Sequence, residues 1–581
     1  MSDKDIIKDA QEAFHAAAEA EAENRKAWVE DVRFARLGEQ WPAAVKRQRE
    51  LEGRPCLTIN RLPAFIRQVT NDARQNRPMI RCHPVGDGAD QETAEILNGL
   101  IKNIEYSSNA DVAYDTALDH AVTGGFGYFR ISTEYAAEDM FEQDICIERI
   151  ANPLTVYGDP ESTAADSGDW NSAFVTETYT EAAYKKTFGK DAPAIDWEAD
   201  ANDKNRLWFG QSGVRVAEWW KREEVPALLL RLSDGTVIFS DKYEELRPVL
   251  EPLGIVPVQE RQSVTKRVTQ YVLNGADVLE TNDWKGKYIP IIPVYGDEVL
   301  VEGERSFLSL VRFAKDPAQM YNYWRSASTE LVALSPKAPF IGPKGAFKTD
   351  AAKWSTANHA SHAYIEYDGG VAPQRQAFSG PPAGALQEAL NASDDMKAIM
   401  GLHDASLGAR SNETSGKAIL ARQREGDVST FNYIDNLSRA IRHAGRVIVD
   451  LIPHVYNTER IIRVINEDGT NRKVPINQPT PAEQQKAQGD QAQQMQGLIR
   501  IYDLTTGKYD VTCEAGPSFT TRREEAAAQM VEFIRAYPNA APLIGDLLAK
   551  NLDWPGADDI SERLKAMLPP QVTGQNPQVQ Q

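Results

Sequence analysis

An α+β fold with more than one folding unit is predicted by three features of the 581-residue sequence. Helical periodicity dominates residues 4–36, 91–122, 305–334, 383–400 and 416–456. Strand-like alternation with two hairpin signals fills residues 140–300. A Gly- and Pro-punctuated insert of mixed character, 336–382, lies between two of the helices, which places it at the end of a helical hairpin stalk. Length supports several units, because single domains typically run to ~100–200 residues.

Residues 4–36 read as one long helix, rich in Ala, Glu and Lys, with Gly38 and Pro42 just past its end. Its middle, Ala16-Ala17-Ala18, has little bulk to bury, so a place on the surface and a place against a neighbour are both open. In 91–122, Ala110, Ala113, Tyr114, Ala117, Leu118 and Ala121 form one apolar stripe that Gly124-Gly125 stops. Phe129, Ile131, Thr133 and Tyr135 then alternate as in a half-buried strand. In the β block, Asp234-Gly235 and Asn274-Gly275 sit between apolar runs, where a tight hairpin needs positive φ. Trp219-Trp220 reads as core, and Ile289 to Val294 closes the block.

The stripe of Phe307, Leu310, Val311 and Ala314 continues through Met320, Tyr323 and Trp324 to Leu331, ending at Pro336 and Pro339. One strand, Tyr364 to Tyr367, is expected in the insert, and Leu386, Leu390 and Ile399 mark the helix after it. His403 to Ser415 is a polar, Gly-containing loop; Ile419, Phe431, Ile434, Leu437, Ile441 and Ile448 follow on a long amphipathic helix. Strands are expected at 461–465 and 509–513 with a Gln-rich helix near 481–500 between them, and helices at 521–536, 540–550 and 558–567. The Pro- and Gln-rich end, 569–581, lacks the apolar content to fold.

A net charge of −20 disfavours gripping nucleic acid over the whole surface, since phosphate binding needs Lys and Arg. It suits a wall along which a polyanion slides, but for net charge alone simple solubility is the preferred reading. Cys56, Cys82, Cys146 and Cys513 are scattered, without a CxxC pair, as in reduced thiols of a protein assembled in a cytosol. The acidic N-terminus does not read as a signal peptide, and no apolar run approaches the ~20 residues of a membrane helix.

The expected chemistry is none. Ser415-Gly416-Lys417-Ala418 resembles the end of a phosphate-binding loop, but Ser411 stands where the first Gly belongs and Ala418 lacks the Mg²⁺-binding hydroxyl. Gly189-Lys190-Asp191 fails likewise, and Gly124 to Gly127 follows a helix rather than a strand, as a helix cap does. His359 and His362 have no third ligand at metal spacing. Asp159, Glu161, Asp166 and Asp169 crowd one loop without the alternation of a Ca²⁺ loop, and a solvated acidic loop is the simpler reading. Lys337, Lys344, Lys348 and Lys353 are interleaved with Phe340, Phe347 and Trp354; both a docking surface and a small aromatic core rimmed by lysine fit.

Four phrases remain. They are Phe34-x3-Gly38-x-Gln40-Trp41; Arg54-Pro55 to Asn60 with Asn76-Arg77-Pro78; Lys315-Asp316-Pro317-x-Gln319-x2-Asn322-x3-Ser326; and Tyr509-Asp510-Val511 to Gly516-Pro517-Ser518 with Thr521-Arg522-Arg523-Glu524. In this order, over about Trp28 to Leu568, the chain resembles the portal (head–tail connector) proteins of tailed double-stranded DNA bacteriophages, of the short-tailed type.

That resemblance implies a portal fold: a mixed α/β wing from 1–304 and 416–520, stem helices at 305–335 and 383–402, a small α/β clip at 336–382, a channel loop at 403–415, and a helical crown at 521–568 before a disordered 569–581 tail. It places His403, Arg410, Asn412 and Glu413 near passing DNA, Lys337, Lys344, Lys348 and Trp354 on a clip docking surface, and Phe307, Gln319, Asn322 and Trp324 in the stem or subunit interface. It implies a homo-oligomeric ring, dodecameric in the virion, at one capsid vertex. Through that ring the genome would be packaged and ejected. The expected partners are the major capsid protein, the large terminase subunit, a head–tail adaptor and double-stranded DNA in transit, with no cofactor and no membrane, after assembly in the host bacterial cytoplasm. The long C-terminal helical barrel of some short-tailed phages has no counterpart here. A packaging-associated ATPase or nuclease is the alternative, and a cellular scaffold without a DNA role is a third.

Overall fold

The computed structural model describes residues 2–85, 91–191, 209–210, 213–334, 339–375, 383–401, 431–458, 460–465, 471–479, 500–501, 504, 509–514, 519–552 and 556–567. Ser2 and Asp5 cap the first helix reciprocally, each side chain taking up a backbone N–H of the other. Helix α1 (Asp3–Ala20) stops at Glu21, where α2 (Ala22–Val32) begins, and a wider π turn spans Arg33–Leu37. The single helix expected over 4–36 is therefore broken. Its Ala-rich part lies on the chain's own sheet: Ile6, Ala10, Phe14 and Ala17 are buried, with Phe14 edge-on to Tyr157 at 4.7 Å and to Phe174 at 5.2 Å. Small alanines permit that close approach.

Helices α3 (Ala43–Leu51) and α4 (Leu62–Gln75) precede strand Met79–Pro84, which pairs antiparallel with Tyr509–Glu514 and so ties early residues to late ones. Helices α5 (Gln91–Ser107) and α6 (Ala110–Gly124) lead into a three-stranded antiparallel sheet of Ile291–Tyr295, Phe126–Tyr135 and Gln143–Arg149, in that order. Gly125 ends α6 with φ 106°, donating its N–H to the Ala121 carbonyl at 2.9 Å. Two residues on, a Cβ at Gly127 would stand 2.2 Å from the Ala117 carbonyl oxygen. The glycines at 124–127 serve close helix–strand packing.

The larger sheet runs in the order 278–284, 257–273, 213–232, 172–179, 156–157. Both expected hairpin turns form, at Asp234-Gly235 and Asn274-Gly275, with φ of 90° and 84° at the glycines. Because side chains alternate faces along a strand, Trp219 and Trp220 seal opposite sides. Trp219 stacks on Phe174 at 5.9 Å under α1, while Trp220 meets Trp284 edge-on at 5.3 Å in a second cluster with Phe126, Tyr128 and Trp170. The strands 213–232 and 257–273 stay paired from Ala217↔Leu273 to Leu232↔Pro257. Beyond the sheet they form an arm with its own cluster of Leu230, Leu232, Tyr243 and Leu250. Helix α7 (Glu181–Phe188) packs beneath the sheet, and α8 (Ser240–Leu250) tips the arm. Between Ser172–Tyr179 and Val237–Phe239 no strand among the described residues pairs with the outer edge of the arm strand, and Pro226, which has no N–H to offer, stands there.

The helix expected from 305 begins ten residues later. Glu304–Leu308 pairs with Asp297–Val301 in a hairpin turned by Glu302 and Gly303, a 3-10 turn follows, and α9 runs Lys315–Leu334. Phe307 is thus on a strand, stacked on Tyr295 at 4.2 Å. Pairing with Val299 and Val301 overrides the helical spacing. The insert places α10 (Ala351–Thr356) between two short paired strands, Phe340–Ile341 and Gln374–Arg375; Tyr364 to Tyr367 forms no strand. Helix α11 (Ala383–Met400) packs on α9 through Ala385, Ala389, Ala392 and Met396, leaving Leu386, Leu390 and Ile399 exposed. Helix α12 (Phe431–Val455) buries Ile434, Leu437, Ile441 and Ile448 in the main core, as expected. Its expected start at 416, the 569–581 tail and the Gln-rich helix expected at 481–500 lie outside the described residues, apart from Arg500, which pairs with Pro479 in a short strand. The strand expected at 461–465 belongs to a hairpin of Arg460–Ile465 with Asn471–Ile476, and α13 (Phe519–Ala536), α14 (Ala541–Asn551) and α15 (Ala557–Ala566) follow.

The acidic loop joins the sheet to α12. Asp169 accepts from Ser162 Oγ and from the Thr163 and Ala164 N–H groups at 2.7–2.9 Å; Asp159 accepts from the Glu161 and Asn171 N–H groups; Asp166 pairs with Arg446 at 3.1 Å. Arg222 binds the carbonyls of Gly168 and Asp169. Against this loop lies His443, buried, edge-on to Tyr288 at 5.6 Å. Burial outweighs the attraction of Asp166 and lowers its pKa to about 4, with Arg446 and Arg222 acting in the same direction as burial.

Two predictions follow from this packing. Gly127→Ala should cost roughly 1–3 kcal/mol through overpacking, whereas Gly384→Ala, where nothing lies within 4 Å, should be neutral or better; equal melting temperatures for the two would contradict the close approach. For His443, the unfolded chain takes up a proton near pH 6.5 and the folded chain only near 4, so stability is lost as pH falls between those values, by up to about 1.4 kcal/mol per pH unit. Burial lifts the Glu105 carboxyl to about 7, an effect of opposite sign. The quantity to measure is therefore the stability difference between wild type and His443→Gln from pH 7 to 5. A difference independent of pH would show that the imidazole is not held neutral.

Candidate functional site

Parts of three of the four phrases singled out in the sequence, Phe34 to Trp41, Arg54 to Asn60 and Lys315 to Ser326, meet on one face of α9; in the fourth, Tyr509–Glu514 pairs instead with Met79–Pro84, and Arg77 pairs with Asp115. Gln40 is 1% exposed and its amide is fully used. Its Nε2 donates to the Asn60 Oδ1 at 2.9 Å and the Phe34 carbonyl at 3.3 Å, and its Oε1 accepts from Asn322 Nδ2 at 2.6 Å. Asn322, also 1% exposed, accepts the Ile59 N–H at 2.8 Å, and Ser326 accepts the Leu57 N–H at 2.9 Å. Asn60 Nδ2 closes the network on the Ala35 carbonyl at 2.7 Å.

The spacing explains why these residue types recur at these intervals. Asn322 and Ser326 are one helical turn apart, about 6 Å along the axis, and two residues of extended chain span about 6.6 Å. The alternate N–H groups of Leu57 and Ile59 therefore match side chains at i and i+4, with the segment antiparallel to the helix. The contact continues at both ends. Glu330 pairs with Arg49 at 3.3 Å and Arg54 at 3.0 Å, and Arg49 lies 5.6 Å from the rings of both Trp41 and Tyr323. At the other end Arg61 covers Tyr321 at 4.5 Å and donates to Ser393 on α11. Asp31, fully buried, accepts from Ser309 at 2.7 Å and pairs with Arg312 at 2.8 Å and Lys315 at 2.5 Å. Residues 28–61 thus clasp the helical hairpin along its length.

Of the residues expected in the stem or subunit interface, Asn322 and Phe307 are buried within their own chain, where their polar and ring contacts are made. Gln319 is half-buried on the same helix, and Trp324 packs edge-on to Tyr323 at 5.4 Å, against the main core. The partners Asn60, Glu330 and Asp31 were not singled out as site residues. An Asn before a helix, a lone Glu and a lone Asp carry no local signal of a partner some 20 to 280 positions away.

In the insert, Trp354 is edge-on to Phe340 at 5.1 Å and Phe347 at 5.2 Å and donates its indole N–H to the Glu366 carbonyl at 2.9 Å. The aromatics make a small core, and Lys344 and Lys348 are exposed on its rim. Lys337 and the loop residues His403, Arg410, Asn412 and Glu413 lie outside the described residues, as do Ser411, Lys417 and Ala418.

No chemistry assembles around these groups. Among the described residues no three His, Cys, Asp or Glu side chains are placed to hold a metal ion. His362 Nε2 bonds to Thr356 Oγ1 at 2.9 Å, and the acidic loop spends its carboxylates on backbone N–H groups and Arg446. At the turn after α6, a Cβ on Gly125 would stand 2.6 Å from the Phe307 carbonyl oxygen, so protein fills the space a phosphate would need. No helix among the described residues is long and apolar enough to cross a membrane.

Comparison with known proteins identifies the family. The portal protein of Acyrthosiphon pisum secondary endosymbiont phage 1 is 26% identical over 574 residues, covering 93% of this chain and 77% of the relative. The model of the phage P22-like portal protein family matches residues 11–581, nearly the whole length, and includes every segment of the clasp. The chain belongs to that family and has a portal function.

Proposed function

We propose that the chain is the subunit of a closed homo-oligomeric ring, of the short-tailed phage type and dodecameric in the virion, seated at one capsid vertex. Genome enters and leaves through its channel. The observation that carries this reading is the clasped helical hairpin. Residues 28–61 lock one side of α9 by buried hydrogen bonds, and α11 packs on another. Yet Met320, Tyr323, Leu386, Leu390 and Ile399 stay 40% or more exposed. A stalk so rigid within the chain and so apolar outside it suits assembly with further copies.

In this reading α9 and α11 are stem helices, 336–382 is the clip that meets the large terminase subunit and later the head–tail adaptor, and the sheets with α1–α6 and α12 form the wing against the major capsid protein. Helices α13 to α15 form the crown. The loop 403–415, with His403, Arg410, Asn412 and Glu413, borders passing double-stranded DNA, and Lys344 and Lys348 on the clip rim are oriented to a partner. An overall charge of −20 keeps the wall from holding that DNA. No observed grouping of residues favours the ATPase or nuclease alternative.

Negative-stain imaging and mass measurement of the purified protein should show rings with a central hole, and the same preparation should not turn over ATP. Monomer alone at every concentration and salt, or steady turnover, would overturn the reading. Asn322→Ala should strand the buried Gln40 oxygen and Ile59 N–H, lowering stability by roughly 1–3 kcal/mol, with Ser326→Ala milder because one N–H is released at a half-exposed edge. Unchanged thermal unfolding of Asn322→Ala would show that the clasp does not hold the stem.

A further inference from the structure

The clasp fixes which way α3 faces, and this exposes a surface with a counterpart elsewhere on the chain. In α3 only Arg49 is buried, held by Glu330 and the Pro55 carbonyl. Residues two positions either side of it, Arg47 and Leu51, are rotated about 200° away and point outward. Leu51 is 82% exposed, and Arg47 is exposed with no ion pair among the described residues. On α11 the buried face is Ala385, Ala389, Ala392 and Met396. A stripe of Leu386, Leu390 and Asp394, one turn apart, runs from the flank of that face to its far side; Leu390 is 59% exposed, and among the described residues Asp394 has only the surface pair with Lys397 on the next turn, at 3.3 Å.

The two faces are complementary in chemistry and spacing. Arg47 and Leu51 are separated by four helical positions, as are Leu390 and Asp394. Laid antiparallel, Leu51 meets Leu390 as Arg47 meets Asp394. Leu51 and Leu390 both stay exposed within the chain, so the chain itself does not bring the two faces together. We propose that α3 of one copy docks through Arg47 and Leu51 on Leu390 and Asp394 of α11 in the next copy. Such a contact is heterologous, one patch against a different patch, the type that closes a ring by rotation. It rests on the ring reading above and names a surface that would build the ring.

The test uses the full chain. In Arg47→Cys combined with Asp394→Cys, mild oxidation should give a ladder of covalently linked copies on a non-reducing gel, absent from either single variant, which control for the four native thiols. Arg47→Asp and Asp394→Arg should each raise the monomer fraction roughly three- to fivefold at equal concentration, as expected for loss of one partly exposed pair, and the double exchange should restore it. Rings of wild-type stability in both charge variants, without the ladder, overturn this contact and leave the ring reading standing. A fast-migrating monomer with an internal disulfide also overturns it. Absence of any oligomer in the wild-type protein overturns both.

Discussion

The amide pair of Gln40 and Asn322 sets the register on which the rest of the stalk depends. Both side chains are buried, and each has donors and acceptors that water cannot reach. An unpaired buried polar group costs about 1–3 kcal/mol, so a shift of the 54–61 segment by one residue would leave several unpaired at once. Only one alignment satisfies Gln40, Asn322, Ser326 and the N–H groups of Leu57 and Ile59 together. The ion pairs at Asp31 and Glu330 then fix the two ends, and α9 cannot slide or rotate against the body.

The body to which it is fixed is held by aromatic rings on both faces of the larger sheet. Trp219 and Trp220 are adjacent, so strand alternation sends one beneath α1 and the other toward the cluster at Trp170 and Trp284. That second cluster also contains Trp28 of α2 and Phe307 of the hairpin leading to α9. The same helix that carries Asp31 therefore packs its Trp28 against the sheet layer. Sheet and stalk share α2, which links the larger sheet to the helical hairpin through Trp28 on one side and Asp31 on the other.

What the sequence disclosed follows from how local each signal is. The Asp-Gly and Asn-Gly turns, the Gly125 stop and the Ile434–Ile448 stripe depend on neighbours within a few residues, and all form as read. Failures came where pairing or packing outside the helical repeat decides. Glu304–Leu308 has helical spacing but is drawn into a strand by Asp297–Val301. Ala16 to Ala18 looked featureless because their use depends on Phe14, Tyr157 and Trp219 meeting across the sheet. At the site, the recurring Gln, Asn and Ser could be picked out as phrases. Their joining into one hydrogen-bonded clasp rests on contacts 260–280 positions apart, which spacing within a phrase does not encode.

The first half of helix α11 inverts the usual arrangement of a surface helix, while the second half buries Met396 and Met400. An amphipathic helix normally buries its large apolar residues; here Ala385, Ala389 and Ala392 face inward and Leu386 and Leu390 outward. Alanine on the inner face lets α9 and α11 approach closely, but it removes little apolar area from water. The leucines would therefore lower the solubility of an isolated chain without stabilising it. At about 25 cal/mol per Å² of apolar surface, their contribution is realised only when something outside the chain covers them. The clasp contributes to the same result from the other side, since it orients α3 with Leu51 outward and Arg49 inward. One set of buried hydrogen bonds thus determines both edges of the stalk, and the single chain is left with two unmatched faces that a second copy could satisfy.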